Sequence, residues 1–209
     1  MIRIVYLHGL PAVSRAREQD WLAELPAAFQ DRLRRQQRRQ RLLQSLAGLQ
    51  LLKRAAARHG CTDFRLADLR TTAQGKPLCD TLPGFSISHS DELVACALSD
   101  QGPVGLDVER LRPIEPARFA RVFSATEQAW IGDDSDRFFD LWTRKEAAVK
   151  LSGEHGIAQL RETRLDGDRA FLHGRELALR SVDLWPGYRA ALAAEGGVEE
   201  LEVESVVLG

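Results

Sequence analysis

Two acidic residues one position apart, Asp107 and Glu109 in Gly105-Leu106-Asp107-Val108-Glu109, are where this sequence first offers chemistry. As a β-strand, the stretch turns Val104, Leu106 and Val108 to one face and both carboxylates to the other. Like charges on an otherwise apolar strand repel, and a hard divalent cation between them is the usual remedy. A third carboxylate is available at Glu146. In a helix over Phe138–Leu151, Trp142, Glu146 and Lys150 are spaced by four and share a face. The structural reading is a Glu–Lys surface pair beside a core tryptophan, worth about 0.2–0.5 kcal/mol. The functional reading sends Glu146 towards Asp107 and Glu109, with Lys145 or Lys150 beside it for phosphate. Spacing leaves both open. Glu127 has a structural use of its own, because Ser124 and Glu127 have the spacing of a capping box. His89, flanked by Ser88 and Ser90, reads either as a hydrogen-bonding surface residue or as part of a site.

Elements must position these groups. Arg3–Leu7 reads as a first strand, and Phe29–His59 as the longest helical stretch, ended by Gly60. Its polar start, Gln30–Arg41, is separable as a helix of its own. Six arginines fall between Arg32 and Arg41; Arg32, Arg35 and Arg39 would lie along one side of a helix, as would Arg34, Arg38 and Arg41. Such a face is either merely solvated or built to grip phosphates in a bidentate way. Gly75-Lys76-Pro77 reads as a turn. Leu93–Leu98 and Val104–Val108, joined by Asp100-Gln101-Gly102-Pro103, read as a β-hairpin. That pairing sets Ser88 and His89 on the sheet that carries the carboxylates. Arg110–Pro116 is a loop. Leu165–Leu179 reads as two strands with turns, and Tyr188–Ala193 and Leu201–Leu208 as further strands. Lys53-Arg54-Ala55-Ala56 faintly echoes Lys145-Glu146-Ala147-Ala148, which hints at two similar α+β halves meeting near Gly102–Pro103.

Composition narrows the class. The chain has 209 residues, 44% hydrophobic and 28% charged, with a net charge of −1, so it is not built as a general polyanion binder. Three cysteines without a C-x-x-C argue against a disulfide scaffold or a zinc knuckle and fit a reducing cytoplasm. The N-terminus shows no leader, and no apolar run approaches the roughly 20 residues of a membrane span. A cytoplasmic protein is expected.

Five stretches stand in a fixed order: Gly75-Lys76-Pro77, Phe85-Ser86-Ile87-Ser88-His89-Ser90, Gly105-x-Asp107-x-Glu109, Phe123-Ser124-x-x-Glu127 and Trp142-x-x-Lys145-Glu146-Ala147-x-x-Lys150. The set closely resembles the 4′-phosphopantetheinyl transferase superfamily in its larger form, with two halves in one chain. The resemblance implies an α+β fold of two similar halves related by a pseudo-twofold, here 1–102 and 103–209, with coenzyme A in the cleft between them. It implies Mg²⁺-dependent transfer of phosphopantetheine from coenzyme A to a serine of an apo acyl or peptidyl carrier protein, releasing adenosine 3′,5′-bisphosphate.

Matched position by position, Asp107, Glu109 and Glu146 are the implied Mg²⁺ ligands and Lys150 the pyrophosphate contact, with Lys145 beside it. Lys76, Pro77, Ser88 and His89 are implied contacts to the adenine and 3′-phosphate region, and Arg32 a further phosphate contact. Glu127 is implied as the base or a water-mediated metal contact. Glu127, Glu146 and Lys150 thus carry the chemistry. Ser86 stands where the family often has Asn, and Gln44 where relatives carry an arginine that Arg41, one turn earlier, would replace. Leu111, Phe119 and Val122 fall where relatives dock the carrier. A monomer is expected, with carriers of fatty acid, polyketide or siderophore synthesis. Two other readings compete: a nucleic-acid-binding protein using the Arg32–Arg41 helix, and a Mg²⁺-dependent nucleotide hydrolase on the same carboxylates.

Overall fold

A computed structural model describes residues 1–72, 75–82 and 84–208. In chain order the strands are β1 (Ile2–His8), β2 (Arg70–Thr71), β3 (Pro77–Leu78), β4 (Gly84–Ser90), β5 (Leu93–Ser99), β6 (Val104–Arg110), β7 (Arg164–Asp166), β8 (Arg169–Leu172), β9 (Arg175–Ser181), β10 (Tyr188–Ala194) and β11 (Leu201–Ser205). The helices are α1 (Arg15–Ala23), α2 (Ala27–Arg34), α3 (Arg39–Arg58), α4 (Ala125–Ile131), α5 (Ser135–Ser152) and α6 (Ile157–Glu162).

The strands form a four-stranded sheet in the order β11-β1-β5-β4 and a five-stranded sheet in the order β6-β10-β9-β8-β7. Alternation along the strands gives each sheet two apolar faces. Ile2, Ile4, Leu93, Ala95 and Ala97 of the first sheet share one core with Val104, Leu106, Val108, Ala190 and Leu192 of the second. On the opposite face of the first sheet, Val5, Leu7, Val94, Cys96 and Leu98 pack against Leu46, Ala47, Leu51 and Ala55 of α3. On the opposite face of the second, Ala191, Ala193 and Leu177 pack against Ala147, Ala148 and Leu151 of α5. The layers therefore run helix, sheet, sheet, helix. The α+β class is as expected.

The expected hairpin does not form. β5 is flanked by β1 and β4, both antiparallel, and β6 pairs instead with β10 across the register Asp107↔Ala191. The turn after β5 carries the chain from one sheet to the other. Ser88 and His89 consequently lie on the first sheet and the carboxylates on the second. β11 returns from the end of the second half to pair in parallel with β1, Ile4 opposite Val203. Leu165–Leu179 holds three strands, because Gly167 at φ 52° and His173-Gly174 at φ 51° and 75° each make a tight reversal.

The arginine run is split. α2 ends at Arg34 and α3 begins at Arg39, so Arg32, Arg35 and Arg39 do not share a helix face. Arg39 pairs with Glu18 at 3.3 Å, and Arg34 donates to Gln30 at 3.0 Å. No helix among the described residues is long and apolar enough to cross a membrane.

Candidate functional site

Gly105 sets the distance between α5 and β6. A Cβ there would stand 1.9 Å from the Ala147 carbonyl and 2.7 Å from the Leu151 amide. The helix thus lies directly on the strand backbone, and Glu146, beside Ala147, and Lys150, one turn on, reach the carboxylate face. Lys150 donates to Asp107 Oδ1 at 2.7 Å and to Ser88 Oγ at 2.7 Å. Asp107 is buried, and its Oδ2 accepts no hydrogen bond among the described residues.

Burial, then the charges of Asp107 and Glu109, pushes the Glu146 carboxyl up to about 7, against a partial offset from Lys150. Burial and Asp107 likewise raise Glu109. Three carboxyl groups therefore feel one another, with a single lysine between them. As placed, no three His, Cys, Asp or Glu among the described residues stand close enough to hold a metal ion. The donor set nonetheless suits one: hard oxygen atoms, an unpartnered buried Oδ2, and more negative charge than one ammonium balances.

Two depressions border this group. One, of about 300 Å³, is lined by Gly75, Lys76, Pro77, Ile87, Lys150 and His155, contributed by both sheets' surroundings. Lys76 reaches across it and donates to the Lys150 carbonyl at 2.6 Å. Burial, and then Lys150, lowers the Lys76 ammonium pKa. Arg32 donates to the Gly75 carbonyl and stacks over Phe29 at 4.9 Å, so it buttresses this turn. The second, of about 470 Å³, is lined by Arg38, Arg41, Ser45, His89 and Asp91. His89 stands at the surface, yet partial burial of its ring, and then Lys150 and Arg41, lower its pKa. Gln44 donates to the Asp91 carbonyl at 2.7 Å, a structural bond that closes the β4–β5 turn.

Glu127 and Lys145 lie elsewhere. The capping box forms: Glu127 Oε2 accepts the Ser124 amide at 2.7 Å while Ser124 Oγ accepts the Glu127 amide. Glu127 Oε1 pairs with Lys145 Nζ at 3.0 Å, and Lys145, 1% exposed, also donates to the Thr163 carbonyl. The charges acting on Glu146 are those of Asp107, Lys150 and Glu109; Lys145 and Glu127 act on each other. The structure does not bring this pair to the carboxylate group. Of the expected carrier contacts, Val122 is buried, while Leu111 and Phe119 are partly buried, Phe119 packing at 5.4 Å on Phe138 and 5.5 Å on Trp142.

Residues 103–181 match the sequence profile of the 4′-phosphopantetheinyl transferase superfamily. The 4′-phosphopantetheinyl transferase psf-1 of Bacillus pumilus is 33% identical over 156 residues, 66% of each chain. The chain belongs to the 4′-phosphopantetheinyl transferase superfamily. Two other members are the transferase Sfp of Bacillus subtilis strain 168, 37% identical over 42% of this chain and 43% of that one, and AcpT of Salmonella typhi, 38% identical over 52% and 57%. The chain thus spans about two thirds of the length of the first of these superfamily members and about half of the others. The profile begins just before β6 and runs through α5, so it contains all three carboxylates and Lys150.

Of the residues singled out from the sequence, Asp107, Glu109, Glu146, Lys150, Ser88 and Lys76 are brought together. Ser90 and Arg41 are gathered there too, although sequence spacing did not single out Ser90. Its only signal is the period of two in Ser86, Ser88 and Ser90.

Proposed function

We propose that the protein transfers 4′-phosphopantetheine from coenzyme A to a serine hydroxyl of an apo acyl or peptidyl carrier protein, with adenosine 3′,5′-bisphosphate as the other product. The observation that carries this reading is the buried Asp107, with one oxygen on Lys150 and the other unpartnered, between two cationic depressions in a chain of this superfamily. A molecule with a pyrophosphate and a separate 3′-phosphate suits that layout. Lys76 and Lys150 face the pyrophosphate, and Arg38, Arg41 and His89 take the 3′-phosphate.

Asp107, Glu109 and Glu146 would hold Mg²⁺, which when bound supplies charge neutralisation at the pyrophosphate oxygens. Lys150 moves from Asp107 to phosphate and adds its own charge there. The serine oxygen bonds to the β-phosphorus, the bridging P–O bond breaks, and its electron pair leaves on the α-phosphate. The serine proton passes to a carboxylate of this group. Glu127 is committed to Ser124 and Lys145, which favours the carboxylates around Asp107 over Glu127 as the acceptor. Arg32 and Lys145 act here as structural supports. The seam between the two sheets serves as the active cleft, and the two helix-on-sheet layers as the halves.

The test is intact-protein mass spectrometry of an apo acyl carrier protein after incubation with the enzyme, coenzyme A and Mg²⁺. A gain of one phosphopantetheine that EDTA abolishes is expected. Metal-dependent consumption of coenzyme A without any gain on acyl or peptidyl carriers would favour the hydrolase reading instead.

A further inference from the structure

Among the described residues, β6 has one backbone-paired edge, the one shared with β10. Its other edge meets β4, and there hydroxyls replace a backbone ladder. Ser86 Oγ accepts the Leu106 amide at 3.0 Å, Ser88 Oγ the Val108 amide at 3.2 Å, and Ser90 Oγ the Arg110 amide at 3.1 Å. A hydroxyl that accepts still has a proton to give. Ser88 gives it to Asp107 Oδ1 at 3.0 Å, and Ser90 to Glu109 Oε2 at 2.8 Å. Ser86 stands opposite Gly105, where there is no side chain to receive it. The three serines thus repeat one geometry, and only two of them reach a carboxylate.

We propose that Ser90 is a positioning residue, which orients the Glu109 carboxylate for the bound cation from the opposite sheet. This rests on the cation site proposed above. Glu109 has two other influences, a 3.3 Å contact from Arg112 and the repulsion of Asp107. Arg112 is more than half exposed, which makes it a weak constraint. Ser90 is tied at both ends, by the Arg110 amide and by its own strand, so its hydrogen bond fixes one carboxylate oxygen and leaves the other for the cation. Groups that hydrogen-bond a ligating carboxylate in this way are worth about 10–100-fold in metal affinity. Because Ser90 belongs to β4 and Glu109 to β6, the cation geometry depends on the seam between the sheets staying closed.

Ser86 supplies an internal control, since it makes the same amide bond without a carboxylate. The experiment measures Mn²⁺ binding by electron paramagnetic resonance, with thermal unfolding and steady-state kinetics alongside, on the full chain. Ser90→Ala should weaken Mn²⁺ binding about tenfold while changing the KM for coenzyme A by less than about twofold. Ser90→Thr, which keeps the hydroxyl, should restore it. Ser86→Ala should lower the melting temperature without weakening Mn²⁺ binding. Folded Ser90→Ala that binds Mn²⁺ like the unaltered protein would overturn the positioning role alone. Equal weakening by Ser86→Ala and Ser90→Ala would overturn it too, in favour of a general effect of the seam. An unaltered protein that binds no Mn²⁺ would overturn the cation site and this role together.

Discussion

α3 on the first sheet and α5 on the second are built alike and used differently. Each lies on its sheet at a glycine, Gly48 in α3 and Gly105 in β6. The contact differs in kind. A Cβ at Gly48 would meet the Ile87 Cγ2 methyl at 2.6 Å, a side-chain atom. At Gly105 it would meet helix backbone. The polar residues differ in step with this. Gln44 of α3 is buried on the Asp91 carbonyl and finishes a turn. Glu146 and Lys150 of α5 are held over a carboxylate strand with one buried oxygen unpartnered. Rigid backbone contact and uncompensated charge coincide on one helix. That is how a fold supplies a precise site, with a stable frame bearing a local electrostatic debt.

The comparison is broken most severely at Asp107. Asp107→Asn removes a charge that both Lys150 and the proposed cation need, and transfer to the carrier should fall about a hundredfold or more, measured by the mass assay, with melting temperature unchanged or raised. Full activity of this variant in Mg²⁺ would return the carboxylates to a structural role. The glycine pair comes next. Gly105→Ala should cost about 3 kcal/mol, because neither Ala147 nor Leu151 backbone can yield. Gly48→Ala should cost less, about 1–2 kcal/mol, since a side-chain methyl rather than backbone must give and alanine favours the helix. Denaturant unfolding of both separates them, and equal losses would erase the distinction between the two helices.

Glu146 sharpens the electrostatic half. Folded, its carboxyl keeps its proton to about 7; unfolded, it releases it near 4.5. Between those values the unfolded state binds fewer protons, so stability falls as pH rises. Without divalent cation, the melting temperature of the unaltered protein should therefore drop relative to Glu146→Gln from pH 5 to pH 7.5. A constant gap would contradict the buried-charge account. The smallest effect is expected on α3, where Gln44→Ala should cost about 1 kcal/mol through the lost bond to Asp91, visible in thermal unfolding.

The period-two stretch at Asp107 and the period-four face of α5 were legible in the sequence because local geometry alone creates those patterns. The capping box at Ser124 and Glu127 was legible for the same reason. What joins distant segments was not. The turn at Asp100–Pro103 looks the same whether the next strand folds back or crosses to another sheet. The crossing follows from β1 and β4 occupying both edges of β5, which are contacts far apart in sequence. The serine seam was hidden because nothing local to Ser86, Ser88 and Ser90 shows that the Leu106, Val108 and Arg110 amides stand opposite them. The arginine run misled because the chain leaves the helix over residues 35–38, which the run's composition does not signal. Lys145 looked like a second phosphate lysine. Only packing shows that its ammonium is sealed against Glu127 and the Thr163 carbonyl.

The pairing of β11 with β1 also has a consequence for birth on the ribosome. β1 is made long before β11, its neighbour along the outer edge. During synthesis that edge stands bare, with its amides and carbonyls open to any passing strand. The nascent chain is then at its greatest risk of sticking to its neighbours, and the arrival of Leu201–Ser205 ends that exposure.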